Sequence, residues 1–239
     1  MKWHIGCSGF YYRHWKDVYY PEGLPQSKWF SHYCQHFNTL ELNGTFYSFP
    51  KLKSLQKWYN DSPANFTFAV KAHRVITHYR KFNNTFDKMN ELYDVIAAGL
   101  QDKLGPVLFQ MPPNYVYSEE RLNNILRNLD SSFNNVVEMR NKSWWQPQVY
   151  EQLAEHNITF CGMSHPTLPE DVVQNTETLY YRLHGNQQLY SSAYSADELR
   201  IFTQQVKASN AKQAFIYFNN DIGASAIFNA RELIRMVEE

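Results

Sequence analysis

The sequence predicts an α/β fold, a single (β/α)8 TIM-type barrel with parallel strands. Three observations point there. Eight short apolar or alternating runs recur along 239 residues, and helical patterns fill most of the gaps between them. The turn after the first run, GCSGF, lacks the GxGxxG spacing that an open dinucleotide-binding sheet would carry.

The first run is WHIGCSG from Trp3, followed by a helical pattern over Ser27–His36. FNTLELN from Phe37 leads into a helix over Lys51–Tyr59, and FTFAVKA from Phe66 into one over Asp87–Leu104. PVLFQMPP from Pro106 precedes a helix over Glu119–Leu129, and NVVEMRN from Asn135 one over Gln148–His156. After ITFCGM from Ile158 the chain reads SHPTLPEDVVQ, so the helix after strand six is weak or irregular. TLYYRLHG from Thr178 is followed by Ser195 and Glu198, a capping box that opens a helix to about Ser209. AFIYFNN from Ala214 and a helix from about Ser225 to Val237 complete the series. Strands that alternate with helices need right-handed crossovers, hence a parallel sheet. No repeat or linker-like shift interrupts the pattern, so residues 1–239 are expected to form one domain.

Composition narrows the function. Hydrophobic residues at 44% and charged residues at 19% are those of a globular protein. Lysine plus arginine equals aspartate plus glutamate at 23 each, so no net field draws the chain to polyanions, although a local basic patch stays open. Cys7, Cys34 and Cys161 show no CxxC spacing and read as reduced thiols. The start MKWHIGCSGF is too polar for a signal peptide, and no run approaches the ~20 apolar residues of a membrane span. The expected location is cytoplasmic, with no membrane partner. With 17 Tyr, 16 Phe and 6 Trp, some rings must cover surface or line a cleft.

Barrels of this class work at the C-terminal ends of their strands. Those ends offer Cys7 and Ser8, Glu41 and Asn43, Lys71 and His73, Gln110, Glu138 and Arg140, Arg182 and His184, and Asn219 and Asn220. Period-two alternation puts Glu138 and Arg140 on one face with Val136, and Arg182 and His184 on one face with Tyr180. The economical reading is a polar set at the barrel mouth. Two structural readings compete with it: single charges closing strands at the solvent edge, and an ion-pair ring of Glu41, Lys71, Glu138 and Arg140.

The ordered series CSGFYYRHWKDVYYP, LELNGTFYSFP, FAVKA with ITH at Ile76–His78, LFQMPP, EMRNKSWW, YYRLHG and IYFNN resembles the YecE-like family, domain of unknown function 72. The match runs from Gly6 to about Asn220. The resemblance implies a TIM-barrel fold and a pocket, and supplies no established reaction or cofactor. Its polar motif positions fall here on Glu41, Asn43, Thr45, Lys71, Thr77, His78, Gln110, Glu138, Arg140, Arg182, His184 and Asn219.

Two carboxylates beside cations and an imidazole suit acid/base catalysis, with Glu41, Lys71, Glu138 and His184 as catalytic candidates. Asn43, Thr45, His78, Gln110, Arg140, Trp144, Arg182 and Asn219 are the substrate-binding candidates. Guanidinium forks and an ammonium suit carboxylate or phosphate. The expected substrate is therefore a small anionic or polyhydroxylated molecule (a sugar, sugar phosphate or nucleotide-like compound), and the enzyme a hydrolase, lyase or isomerase. Glu41 with Glu138 would form a glycosidase-like pair at a separation of ~5–9 Å. A Schiff base at Lys71 is opposed by the neighbouring carboxylates. No cofactor is expected, and a divalent metal is a minor alternative, because the motif supplies two glutamates and only scattered His73, His78 and His184. The segment HRVITHYRK from His73 reads as a solvated loop, and secondarily as an anion-binding flap. Two rivals remain: a nucleic-acid-acting enzyme or binder, and a non-catalytic ligand sensor or partner protein. The sequence sets neither the oligomeric state nor what the 165–175 and 186–194 loops select.

Overall fold

The computed structural model describes residues 1–238. Eight parallel strands alternate with helices in the order β1-β8-β7-β6-β5-β4-β3-β2, the fold class of the (β/α)8 barrel. The strands are β1 Lys2–Cys7, β2 Thr39–Leu42, β3 Thr67–Lys71, β4 Leu104–Met111, β5 Asn135–Met139, β6 Ile158–Ser164, β7 Thr178–Leu183 and β8 Gln213–Phe218. Each lies on one of the eight predicted runs. The α-helices are α1 Trp29–Tyr33, α2 Gly44–Tyr47, α3 Leu52–Asp61, α4 Phe86–Leu100, α5 Glu119–Asn128, α6 Pro147–Glu155, α7 Ala196–Lys207 and α8 Ser225–Glu238.

Residues 165–177 hold no helix, as the prolines there require. Where the pattern predicts helix to Leu104, α4 stops at Leu100 because Gln101 takes a left-handed φ of 50°. Where it predicts a solvated loop at HRVITHYRK, residues Val75–Tyr79 form a single π-helical turn with Ile76 and Thr77 buried. One turn is too short to leave a periodic signal in sequence. No helix among the described residues is long and apolar enough to cross a membrane.

The chain divides into two compact units. The first comprises residues 1–41 and the segment from Gly162 onward. Here β8 pairs in parallel with β1 on one side and β7 on the other, with Arg182 level with Tyr217. One face of these strands is polar or aromatic where barrels usually carry branched aliphatics. His4 stacks on Phe215 (4.2 Å, 8°), and Tyr180 packs against Phe215 and Tyr217. Tyr217 and Thr39 share a hydroxyl–hydroxyl bond of 2.6 Å. Between β1 and β2 a side chain makes the connection: the Tyr33 hydroxyl accepts from the Cys7 N–H (2.8 Å) and donates to the Thr39 carbonyl (2.9 Å). Gly6 allows this approach, since a Cβ there would sit 2.3 Å from the Thr39 oxygen. The capping box forms as predicted, with the Ser195 hydroxyl accepting from the Glu198 N–H and Glu198 reaching back to the Ser195 N–H.

The second unit is Leu42–Cys161. Here β4 lies between β3 and β5, with Gln110 level with Glu138. Phe68, Val70, Leu108 and Val136 are fully buried, as a sheet covered on both faces demands. The Lys103 ammonium closes the C-terminal end of α3, donating to the Tyr59 and Ser62 carbonyls (2.6 and 2.8 Å) and the Ser62 hydroxyl (2.9 Å). Its three donors are thereby spent on the end of the helix that carries the negative pole.

Tyr33→Phe removes both bonds of the bridging hydroxyl and leaves a buried N–H and carbonyl short of a partner. The expected cost is about 1–3 kcal/mol, read as a lower urea midpoint at unchanged slope.

Candidate functional site

In the first unit a fully buried carboxylate organises the strand ends. Glu41, on β2, accepts from Arg182 Nη2 at Oε1 (2.6 Å) and from the Tyr180 hydroxyl at Oε2 (2.6 Å). Tyr180 and Arg182 reach it together because both lie on one face of β7. Burial, and then the Glu41 charge, hold the Tyr180 phenol well above its ordinary pKa, so it remains a proton donor. Arg182 Nη2 also lies 3.3 Å from the Ser8 hydroxyl at the end of β1. Just past β7, buried His184 accepts at Nδ1 from the Asn219 amide (2.9 Å), and its Nε2 stands 3.5 Å from Arg182 Nη1. Gly185 follows at φ 95°, a conformation that favours glycine.

In the second unit the Arg140 Nε–H donates to Glu138 Oε1, both residues being buried on one face at the end of β5. The Cys161 thiol, a weak donor, lies 3.9 Å from Glu138 Oε2. Lys71 ends β3 with its ammonium 4.4 Å from the centre of the Phe46 ring. The Thr45 hydroxyl sits 2.6 Å from the Leu42 carbonyl and 2.7 Å from that of Lys71, tying α2 to β3. Half-buried His78 stands edge-on to Phe46 (4.9 Å), its Nδ1 2.9 Å from the Thr77 hydroxyl. Its pKa is lowered to about 4, first by burial, then by Lys71 and Arg140, with Glu138 pulling the other way. The imidazole is therefore neutral near physiological pH, held beside two cations.

The candidates thus fall into two sets. Glu41, Arg182, His184 and Asn219 gather in the first unit, and Glu138, Arg140, Lys71 and His78 in the second. Asn43 follows β2 and stands at the N-cap of α2, Thr45 has a positioning role, and Gln110 lies beside Glu138 on the next strand. Trp144 is not placed for stacking on a ligand. It is fully buried, parallel to the Tyr115 ring (5.5 Å, 6°), and its indole N–H donates to the Tyr115 carbonyl (2.6 Å). The structure adds Tyr180 and Cys161 to the sets, and brings in Ser8 and Thr77, which the strand ends and the family motif had named without a role. Tyr180 was the most findable, two residues ahead of Arg182 on the same strand face. Among the described residues no group of three His, Cys, Asp or Glu side chains could hold a metal ion.

Glu41→Ala would strand the Arg182 guanidinium without its counter-charge, at an expected cost of roughly 3–5 kcal/mol. The Glu41→Leu/Arg182→Met double variant should recover most of that loss, and paired urea titrations read both values.

Comparison with known proteins places these residues in a family. The model described as "Protein of unknown function DUF72" matches residues 4–239. The UPF0759 protein YunF of Bacillus subtilis is 26% identical, over 93% of this chain and 91% of its own. The crystal structure of a DUF72 family protein from Thermotoga maritima superposes with a TM-score of 0.91 at 27% identity, covering both chains fully. That of a DUF72 family protein from Enterococcus faecalis reaches 0.86 at 19% identity, over 99% of this chain and 96% of that one, and supports the fold alone.

Proposed function

The chain belongs to the DUF72 family, and from that premise we propose an enzyme that performs acid/base chemistry on a small anionic or polyhydroxylated molecule. A sugar, a sugar phosphate or a nucleotide-like compound meets that description. The observation that carries the reading is His78, kept neutral beside Lys71, Arg140 and the buried Glu138. An imidazole without its second proton can act as a base; burial first, and then the surrounding cations, hold it in that state, and an anionic substrate would offset the cations' share. Glu138 fixes the plane of the Arg140 guanidinium by holding its Nε–H, which sets the fork for a bound carboxylate or phosphate. Lys71 supplies a point charge from the end of β3, with β4 between it and β5. In the other unit, Glu41 has both oxygens occupied, so it acts as an anchor for Arg182 while His184 and Asn219 extend the polar surface. Hydrolases, lyases and isomerases all use such a set, and the choice among them belongs to the substrate.

A nucleic-acid substrate is the second reading. The exposed rings of Tyr47 and Tyr79 have their centres 5.9 and 5.5 Å from the Arg74 guanidinium. That arrangement suits base stacking. It requires single-strand binding that weakens steeply with salt and is lost in Tyr47→Ala/Tyr79→Ala.

A panel of sugar phosphates, nucleotides and glycosides is the direct test of the first reading. Glu138→Gln and His78→Asn are each expected to lower turnover of the active compound by about 10²–10⁴-fold with the fold intact. Full activity in both variants overturns the assignment. By proton NMR the His78 ring should titrate near pH 4, and Lys71→Met should move that midpoint upward. Because the folded value lies below the 6.5 of an unperturbed histidine, the unfolded chain binds more protons between the two. Stability should accordingly fall as pH drops from 6.5 towards 4, less steeply in His78→Asn.

A further inference from the structure

A cavity of about 410 Å³ opens in the second unit, lined by the segment after β3, the segment after β4 and one side of α5. Lys81, Arg121 and Arg127 supply three cations and Glu120 one carboxylate, a surplus of two positive charges. Glu120, Asn124 and Arg127 meet there because spacings of four and three align them along α5. Among the described residues neither Lys81 nor Arg127 forms a salt bridge. Arg121 spends one N–H on the Val116 carbonyl (2.6 Å) and lays its guanidinium 5.0 Å from the centre of the Tyr115 ring. The remaining four N–H groups of its fork stay available.

A second, independent observation concerns Tyr115 itself. It is 2% exposed, lines this cavity, and its hydroxyl has no hydrogen-bond partner. Buried hydroxyls without partners are rare in native proteins and mark a missing ion, water or ligand. Burial pushes the phenol up to about 12 against the opposing effect of Arg121, so the group is a proton donor. The backbone around Lys81 is held away from its relaxed form: Lys81, Phe82 and Asn84 all take left-handed φ (49°, 65° and 51°). The Phe82 ring, buried against Phe109 (5.7 Å), and the Asn124–Asn83 amide bond (3.2 Å) keep that segment against α5. Strain of this kind persists only where the surroundings over-determine it.

We propose that this cavity binds a small dianion of the phosphate-ester class, clamped by Lys81, Arg121 and Arg127 and accepting from the Tyr115 hydroxyl. The surplus of two charges matches a phosphate dianion, and the volume is that of a small-metabolite site. Lys81 also acts on His78 electrostatically, but Arg121, Arg127 and Tyr115 belong to this cavity and not to the His78 or Glu41 cluster, so variants at those three test it separately from the catalytic reading.

Isothermal titration with inorganic pyrophosphate, inorganic phosphate, succinate and free glucose tests it. The wild-type chain should bind pyrophosphate and phosphate, with succinate weaker and glucose silent. Lys81→Gln/Arg127→Gln should weaken pyrophosphate binding by roughly tenfold or more for each lost cation. Tyr115→Phe should weaken it several-fold at unchanged melting temperature, which a role confined to packing would not do. An isotherm unchanged in the double variant, unchanged in Tyr115→Phe, or stronger for succinate than for pyrophosphate overturns the proposal, as does silence of the wild-type chain at millimolar anion.

Discussion

A carboxylate taken out of water must be met by a cation and by hydrogen bonds, and in the first unit Glu41 is met by both. Arg182 and Tyr180 each give one oxygen its partner, and they can do so only because β7 presents them on one face. Desolvating two ions costs several kcal/mol apiece, and the attraction that offsets this leaves little net stability. A hydrophobic filling would serve the core at least as well. The aromatic rings below, Tyr180, Tyr217 and Phe215, and the hydroxyl pair of Tyr217 and Thr39 are arranged around that requirement. These charges sit at the strand ends, which in barrels of this class is the face that carries their sites.

The same constraint is met differently in the second unit. Arg140 follows Glu138 by two residues on one strand, so the pair is local and its orientation is set by β5 itself. Lys71 comes from another strand and rests on an aromatic face. His78, reached through the turn after β3, responds to all three charges. The result is an imidazole whose protonation depends on what sits beside the cations. In the first unit the carboxylate is saturated, so it fixes geometry. In the second the ring is neutral, held so first by burial and then by the cations around it.

Much of this was legible in the sequence because it rests on short-range periodicity. Strand positions followed from apolar runs, and the shared faces of Glu138 with Arg140 and of Tyr180 with Arg182 followed from alternation alone. The pairing of Glu41 with Arg182 was not legible, since 141 residues separate them and several cations were available to either glutamate. The π-helical turn that carries His78 was hidden for a different reason: its β-branched residues give no helical period, and one turn has no repeat to detect. Trp144 stood among the substrate-binding candidates because an aromatic pair at a strand end reads alike whether it faces a cleft or, as here, packs flat on Tyr115. The cavity on α5 required knowing which loops fold against that helix.

One hydroxyl has a wider reach than its size suggests. β1 and β2 stand at the two ends of the strand order, and Tyr33, from α1, joins the Cys7 amide to the Thr39 carbonyl between them. A ladder distributes its hold over many backbone bonds, whereas here side chains take part: the Tyr33 phenol, the Asn38 amide donating to the Trp3 carbonyl (3.2 Å), and a glycine small enough to admit the approach. The Cys7 amide is consequently protected by a side chain that can swing aside without unzipping a strand. Deuterium would enter at that amide through a local opening, at a lower free energy than the neighbouring β1–β8 amides require.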